Sequence, residues 1–269
     1  MRTGPIPYMT IEGTVFEVDI ERQVLIERAN SANTISFIDE MEDKGTYYSL
    51  VYDLERKRAY DKTNGFYESE DWTAVKVPML IELDPEGMAK KYGYTVEQLE
   101  GKTDMEVIVD QQLLAKRLHG ALPTIDICGS LFYIDVRLQE LRAVDEHWTR
   151  IDLKTLGIST ENGRYQAFYH PGSREVADID TGLTRLPEGV VLVEIPHDLE
   201  LDPVAVGRQH DLDQNTLLRQ YPIQKELKAE VVPLSATMLP GLVRRNLEKL
   251  QQQHGDNARR AKPGKRQRL

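Results

Sequence analysis

Residues Ile11–Leu25 read IEGTVFEVDIERQVL, and residues Ile127–Leu141 read ICGSLFYIDVRLQEL. The two stretches align without a gap and share identical residues at Ile11/Ile127, Gly13/Gly129, Phe16/Phe132, Asp19/Asp135, Gln23/Gln139 and Leu25/Leu141. Chance alone gives about one identity in a window of this length. The number of identities is well above that expectation, so this pair indicates an internal duplication.

A second block recurs in the same order. Val75–Pro85 (VKVPMLIELDP) aligns with Val193–Pro203 (VEIPHDLELDP), and both end in the run Glu-Leu-Asp-Pro. The sequence therefore predicts two related units, residues 1–120 and 121–255, followed by a basic flexible tail at 256–269.

The strands of one unit follow from its hydrophobic pattern. After Gly13, apolar and acidic residues alternate, which predicts a half-buried strand with the glycine at a bend or bulge where that strand begins. Aromatic-rich stretches predict a second strand in each unit, and short β-branched runs stopped by a proline predict a third. These are Tyr47–Tyr52 with Tyr165–Tyr169, and Val75–Val77 with Val193–Ile195, which precede Pro78 and Pro196.

Helix signals follow the prolines. Asp84 and Asp202 are predicted N-caps, each with a proline at the first helical position. Thr95, with Gln98 three residues on, predicts a further helix through a capping box. Each unit is then predicted to end with a strand and a closing helix: Met105–Val109 and Ala229–Val232 for the strands, and about Pro240–Gln253 for the last helix, ended by Gly255.

Together these elements predict an α+β fold. Short sequential strands without long crossovers favour a mainly antiparallel sheet, with helices on one face, in each copy of the duplicated unit. Residues 26–44 and 142–163 have weak patterns that predict no particular element.

The charge is uneven along the chain. The whole sequence carries a formal net charge of −10. The tail contains six cations and one acid, Asp256, so its net charge is +5 and that of the remaining residues is −15. The six cations are Arg259, Arg260, Lys262, Lys265, Arg266 and Arg268. A solubilising end would account for this tail, but such a tail can also bind nucleic acid or an acidic protein, including a second copy of the body.

Several classes of site lack their motifs. The sequence contains no P-loop, no G-x-G-x-x-G, no G-x-S-x-G, no C-x-x-C and no H-E-x-x-H, so we predict no cofactor and no metal. The single cysteine, Cys128, is predicted to be a small buried strand residue. With no signal peptide and no long apolar run, we expect a cytoplasmic protein without a membrane segment.

Histidines are concentrated in the second unit, which contains His147, His170, His197 and His210, with His254 at its end. His170 and His197, with Glu194 and the nearby carboxylates Asp178 and Asp180, are the weak candidates for acid–base catalysis or metal binding. Because no pair has ligand spacing, locally hydrogen-bonded histidines are the simpler interpretation.

Two further patterns have functional and structural interpretations. The repeated acids Asp19/Asp135 and Glu82/Glu200 could form a symmetric catalytic pair, or lie on solvated strand faces beside helix caps. Residues 88–99 have the sequence pattern of a DNA-binding helix-turn-helix, but their acidic residues would repel phosphate. They favour a helical hairpin that packs against the rest of the protein.

Three functions follow from these observations. The favoured one is a non-catalytic interaction or assembly protein with two pseudo-symmetric units, in which an oligomer is possible and the tail contacts nucleic acid or an acidic partner. The alternatives are an enzyme with a histidine and carboxylate site in the second unit or between the two units, and a nucleic-acid-binding protein that uses residues 88–99.

Overall fold

The computed structural model describes residues 6–60 and 71–260. The chain forms two compact units: unit 1 comprises residues 1–120 and 207–223, and unit 2 comprises residues 121–206 and 224–269. Residues 207–223 therefore pack with unit 1, although sequence order places them after the start of the second repeat.

The first part of unit 1 forms two antiparallel sheets followed by helices. Its strands are β1 (Tyr8–Ile11), β2 (Thr14–Asp19), β3 (Val24–Glu27), β4 (Thr34–Ser36), β5 (Glu42–Asp43), β6 (Tyr48–Asp53), β7 (Arg58–Ala59) and β8 (Trp72–Val77). Its helices are α1 (Leu80–Leu83), α2 (Pro85–Tyr92), α3 (Asp104–Ile108) and α4 (Gln111–Leu118). One sheet has the order β1-β2-β3-β4, and the other has the order β5-β6-β7 with β8 also paired to β6.

The rest of the chain repeats this succession before it diverges. The strands are β9 (Thr124–Ile127), β10 (Ser130–Asp135), β11 (Glu140–Ala143), β12 (Arg150–Asp152), β13 (Gly157–Ile158), β14 (Tyr165–His170), β15 (Glu175–Val176) and β16 (Val191–Ile195). They are followed by α5 (Asp198–Leu201), α6 (Pro203–His210), α7 (Gln214–Gln220), β17 (Leu227–Lys228), β18 (Glu230–Val232) and α8 (Leu239–Arg260). The helix α7 belongs to unit 1, and the division between the units falls inside α6.

Each sheet of unit 2 has one strand more than the corresponding sheet of unit 1, and this strand lies at an edge. One has the order β12-β11-β10-β9-β17, and the other has the order β13-β14-β16-β18 with β15 also paired to β14. The pairings are antiparallel apart from β17, which runs parallel to β9. The α+β class and the antiparallel sheets predicted from the sequence are thus present.

The first repeated block folds as a hairpin rather than as one strand. Ile11 pairs with Thr14 across a two-residue turn, and Ile127 pairs with Ser130 in the same way. Both turn residues have positive φ in each copy: 45° and 78° at Glu12 and Gly13, and 53° and 86° at Cys128 and Gly129. This is the type I′ geometry whose twist matches that of the flanking strands, which explains the retained glycine. The predicted bend at the start of a strand is therefore a hairpin turn.

The second and third predicted strands are confirmed and have the same register in both units. Tyr48 lies opposite Val77 and Tyr52 opposite Thr73. In unit 2, Tyr165 lies opposite Ile195 and Tyr169 opposite Val191. The strands β8 and β16 end directly before Pro78 and Pro196, as expected for a residue without a backbone N–H.

Each unit encloses its own apolar core. In unit 1 the rings of Phe16 and Tyr52 meet edge to face at 6.3 Å. In unit 2 a buried cluster includes Phe132, Tyr169 and Val193. Burial of a side chain of this size contributes about 1.5–3 kcal/mol, so the alternating inward residues of the strands hold each unit together.

The predicted aspartate caps are also confirmed. The Asp84 carboxylate accepts the backbone N–H of Gly87 at 2.9 Å, and the Asp202 carboxylate accepts that of Ala205 at 3.1 Å. Both aspartates are buried, so each cap satisfies a helix N-terminus away from water.

Three predictions at the ends of the units are wrong. Met105–Val109 was expected to be a strand, but residues 104–108 form α3 because Thr103 and Glu106 make a reciprocal capping box. The helix expected after Thr95 is only a single 3₁₀ turn, Glu97–Leu99, although the Thr95 N–H does donate to Gln98 Oε1 at 2.8 Å. Gly255 does not end the last helix, since α8 continues to Arg260.

The hairpin turn generates a stability prediction. Asparagine adopts the left-handed conformation more readily than glutamate, so we expect Glu12→Asn to raise the free energy of unfolding by roughly 0.5–1 kcal/mol. Glu12→Gln is the matched control, because it removes the same charge without relieving the backbone cost. Urea unfolding followed by Trp72 fluorescence in a Trp148→Phe background measures both, and equal effects of the two substitutions would contradict the turn geometry.

Candidate functional site

A buried carboxylate of unit 1, that of Asp104, lies in the first turn of α3. It accepts the Tyr48 hydroxyl at 2.6 Å. It also accepts the backbone N–H groups of Leu80 and Ile81 at 2.7 and 2.9 Å. Because Met79, at the N-cap of α1, makes no side-chain hydrogen bond, Asp104 supplies the N-terminal cap of α1 from a different helix.

Arg219 of α7 completes this cluster. Its guanidinium carbon lies 4.6 Å from the centroid of the Tyr48 ring, and its Nη1 lies 3.8 Å from Asp43 Oδ2. The side chain is 3% exposed, and its Nε and Nη2 have no hydrogen-bond partner among the described residues. A buried cation beside two carboxylates offsets the cost of removing those carboxylates from water.

Burial dominates the protonation behaviour of this cluster. It raises the pKa of Asp104, against the opposing effects of its three hydrogen bonds and of Arg219. Burial, followed by the Asp104 charge, also raises the pKa of Tyr48 far above its usual range and that of Tyr92 to about 12. The Tyr48 phenol therefore stays protonated and donates to Asp104, whereas the Tyr92 hydroxyl accepts from Gln23 Nε2 at 3.5 Å.

Unit 2 uses the equivalent tyrosine differently. Tyr165 donates to Asp198 Oδ1 at 2.8 Å, and Asp198 Oδ2 accepts from Gln139 Nε2 at 2.8 Å. Burial and the bond to Asp198 raise the pKa of Tyr165. Asp198 is the first residue of α5, so here the carboxylate belongs to the helix that follows the strand rather than to a later one.

The structure does not bring the catalytic candidates together. His170 ends β14, and its Nδ1 accepts the Ser173 N–H at 3.1 Å. His197 precedes α5 and stacks on Tyr165, beside the other end of the same strand. A six-residue strand is about 17 Å long, so the two imidazoles lie at opposite ends of β14.

Glu194 is also engaged elsewhere. Its carboxylate accepts from Gln166 Nε2 at 2.6 Å and from Asn162 Nδ2 at 3.1 Å. It alternates along β16 with the buried Val193 and Ile195 and therefore lies on the opposite face of the sheet.

The repeated acids stabilise turns and helix ends. Asp19 and Asp135 are the last residues of their strands, not mid-strand residues, and each accepts a backbone N–H three residues on, from Arg22 and Leu138. Glu200 lies 3.8 Å from Arg164. Asp180 accepts the Gly182 N–H at 2.8 Å. Asp135 is buried, so the expectation of a solvated strand-face acid is wrong at that position, and its carboxylate is engaged in a local turn.

Cys128 lies in the hairpin turn rather than in a strand, and it is half-buried. Burial, and then the neighbouring Asp126 carboxylate, raises the pKa of its thiol. A thiol that is protonated at neutral pH is a poor nucleophile.

The charged residues that line two open grooves in unit 1 are mainly acidic. One, of about 630 Å³, has Lys90 among the carboxylates Glu17, Asp19, Glu21, Asp84 and Glu86. The other, of about 900 Å³, has Arg58 among Asp39, Glu40, Glu42, Asp43 and Asp213. Both walls repel phosphate, so neither groove suits nucleic acid.

Residues 88–99 do not form a helical hairpin. The helix α2 ends at Tyr92, Gly93 follows in the left-handed conformation, and only the 3₁₀ turn comes after it. Residues 88–99 therefore do not contain a second helix of the kind that enters a DNA groove.

The helix α8 leads into the basic tail. Leu239 is buried, and Asn246 Nδ2 donates to the carbonyl oxygens of Thr181 and Leu183 at 2.8 Å each. From Leu247 to Gln253 the residues are exposed. Of the tail cations, Arg259 and Arg260 lie within α8, whereas Lys262, Lys265, Arg266 and Arg268 lie outside the described residues.

Within residues 6–60 and 71–260, no three histidine, cysteine or acidic side chains are arranged to hold a metal ion. In the same ranges, no helix combines the length and apolar character needed to cross a bilayer. Comparison of the chain with protein-family models, with curated proteins and with solved structures finds no match.

Sequence reasoning missed the Asp104, Tyr48 and Arg219 cluster. The only local signal for it is the sequence Thr103-Asp104-Met105-Glu106, where threonine and glutamate have capping-box spacing and place Asp104 in the first turn of a helix. Nothing near Arg219 indicates that it is buried against Tyr48.

The two tyrosine–aspartate pairs offer a matched test. Tyr48→Phe removes a hydrogen bond to a carboxylate that is 2% exposed. We therefore expect Tyr48→Phe to lower the free energy of unfolding by about 1.5–3 kcal/mol. For Tyr165→Phe, whose partner is only partly buried, we expect a decrease of about 0.5–1.5 kcal/mol. Amide hydrogen exchange of β6 and β14, measured by mass spectrometry, reports each unit separately. A larger loss of protection for Tyr165→Phe would reverse the assigned order.

Tyr169 generates a pH prediction. Its side chain is buried and its hydroxyl has no hydrogen-bond partner among the described residues. Burial, and then the neighbouring Cys128, raises its pKa from 10.0 to about 12. Because the folded value is the higher one, the associated stability is complete below pH 10 and is lost as the pH rises towards 12.

We therefore expect Tyr169→Phe to keep or gain stability at pH 7 and to lose less between pH 10 and 12 than the parent chain. Tyr8→Phe, at an exposed position, is the control. Urea midpoints measured across this pH range decide the matter, and a marked loss for Tyr169→Phe at pH 7 would show that the hydroxyl has a partner.

Proposed function

We propose that this chain is an internal duplication that acts as a non-catalytic interaction protein, and that a basic C-terminal arm binds an acidic macromolecule. The C-terminal arm is defined as residues 244–269. The carrying observation is the exposed stretch of α8, which extends the positive charge of the tail along a helix attached to unit 2.

The internal geometry of the units supports the duplication. Equivalent hairpin turns have positive φ at both residues, and Gln23 and Gln139 have φ values of 52° and 58°. The aspartates before α2 and α6 have nearly the same backbone angles, −146° and 71° at Asp84 against −154° and 78° at Asp202. Non-glycine residues rarely adopt positive φ, so their recurrence at aligned positions supports common descent.

The positions of the catalytic candidates support a non-catalytic function. A general acid and base must reach the same substrate atoms. His170 and His197 lie at opposite ends of β14, and Glu194 is already hydrogen-bonded on the far side of its sheet. These side chains therefore contribute to local structure.

The charge of the C-terminal arm supports an acidic partner. Between residues 244 and 269 there are nine cations against the two acids Glu248 and Asp256, a net charge of +7. Arg244, Arg245 and Lys249 are exposed on α8. Since the grooves of unit 1 are acidic, binding to a polyanion falls to this arm.

The test compares a 20-base-pair DNA duplex with polyglutamate as ligands. We expect the affinity for at least one of them to fall steeply between 50 and 200 mM salt, with the slope of log K against log salt reduced by up to about five when residues 256–269 are removed. Tighter binding of the duplex identifies nucleic acid as the partner class, and tighter binding of polyglutamate identifies an acidic protein.

A charge-reversal pair provides the matched control. The double variant Arg244→Glu, Arg245→Glu should lower the affinity for the ligand. The control double variant Arg22→Glu, Arg137→Glu reverses two exposed cations outside the arm and should lower the affinity much less. The proposal fails if removal of residues 256–269 leaves the affinity for both ligands unchanged.

A further inference from the structure

A single stretch of unit 2 completes both of its sheets. Leu227–Lys228 runs parallel to β9, and Glu230–Val232 runs antiparallel to β16, with only Ala229 between them. The corresponding edges of unit 1 are the outer edges of β1 and β8. Among residues 6–60 and 71–260, no strand pairs with either of them.

The exposure of β8 reflects this open edge. Val75 is half-buried, whereas Val193, its counterpart in β16, is fully buried. Lys76 is exposed, whereas its counterpart Glu194 is half-buried. The two strands have equivalent registers on β6 and β14, so the neighbour on their other side is what differs.

The backbone groups of β8 alternate between its two edges. The Leu54 N–H donates to the Asp71 carbonyl at 3.0 Å, and these two residues continue the register of β6 and β8. Leu54 and Asp71 are therefore a hydrogen-bonded pair of the antiparallel ladder. Alternation along the antiparallel pair then directs the N–H and C=O groups of Trp72, Ala74 and Lys76 away from β6. In β16, the residues equivalent to Ala74 and Lys76 are Leu192 and Glu194, and both lie opposite residues of β18.

Unit 1 has used the corresponding stretch of its own sequence for another purpose. Glu106-Val107-Ile108-Val109 resembles Glu230-Val231-Val232-Pro233. In unit 1 its first three residues form the C-terminal part of α3, and Val107, Ile108 and Val109 are buried. That stretch is therefore committed to the core and does not extend along β8.

The charge at this edge favours a partner strand of opposite sign. In unit 2, Glu194 lies opposite Glu230, and Arg164 pairs with Glu230 at 3.3 Å. In unit 1, Lys76 takes the position of Glu194, so an acidic residue opposite it would form a cross-strand ion pair directly. A lysine on an open edge also disfavours pairing between two copies of β8, which argues for a different protein as the occupant.

We propose that the outer edge of β8 binds an extended segment of a partner protein, antiparallel to β8, with an acidic residue opposite Lys76 and β-branched apolar residues beside it. This docking mode supplies main-chain hydrogen bonds for affinity and alternate side chains for specificity. The inference rests on the proposed role as an interaction protein but not on the C-terminal arm, so the two proposals fail separately.

The probe is a labelled peptide with the sequence of residues 226–233, ELKAEVVP, titrated into the full chain. We expect saturable one-to-one binding, followed by fluorescence anisotropy and by a change in Trp72 emission. Lys76→Glu should weaken binding about three- to fivefold, and a peptide with lysine in place of Glu230 should restore the affinity of that variant. Binding that does not saturate, or that ignores both charge changes, overturns the proposal.

Ala74→Pro tests the backbone edge itself. Proline removes the outward N–H of Ala74 without removing a hydrogen bond to β6, so we expect the fold to persist and peptide affinity to fall at least about tenfold. Leu192→Pro is the matched control, because the same change in β16 removes a hydrogen bond to β18 and should destabilise unit 2.

The remaining occupants give distinct results. If Ala74→Pro destabilises unit 1 as much as Leu192→Pro destabilises unit 2, the edge is already paired within the chain. If sedimentation shows a dimer that Ala74→Pro dissociates, a second copy occupies the edge. Either result, or unchanged peptide binding by Ala74→Pro, contradicts docking of a partner segment.

Discussion

The hydrogen bonds to the Asp104 carboxylate are the constraint on which unit 1 depends. They hold α3, the N-terminus of α1 and Tyr48, the first residue of β6, around one buried carboxylate. A carboxylate that has left water needs such donors, since an unpaired one would cost several kcal/mol. Arg219 adds a buried opposite charge that interacts with Asp104, and together with the buried Leu217 and Leu218 it links α7 to unit 1.

The same constraint explains why two similar stretches fold differently. The residues Glu-Val-Ile-Val in unit 1 and Glu-Val-Val-Pro in unit 2 both suit a strand by composition. Thr103 and Asp104 precede the first stretch, and they place it in a helix through a capping box and a long-range cap. No such cap precedes Glu230, and a strand forms. Local capping, supported by burial, therefore outweighs intrinsic β-propensity here.

The sequence predicted the elements of this fold that have local sequence signals. Alternation, proline stops and aspartate caps identified β6, β8, β14, β16 and the starts of α2 and α6, because each of these signals acts over a few residues. The hairpins were missed because the turn residues Glu12 and Cys128 are unusual for type I′ geometry. The Asp104 cluster was out of reach because its members, Tyr48, Asp104 and Arg219, are distant in sequence and meet only in the folded chain.

The assignment of residues 207–223 to unit 1 has a consequence for biosynthesis. A ribosome releases the chain from its N-terminus, so residues 1–120 emerge well before α7. Until then Asp104 lacks Arg219, and unit 1 lacks one of its helices, while strands β9 to β12 of unit 2 have already been synthesised. The unit encoded first is thus completed late, by contacts of long sequence separation, which are the slow ones to form. Premature termination before residue 219 would leave a nascent chain with a buried acid and no counter-ion.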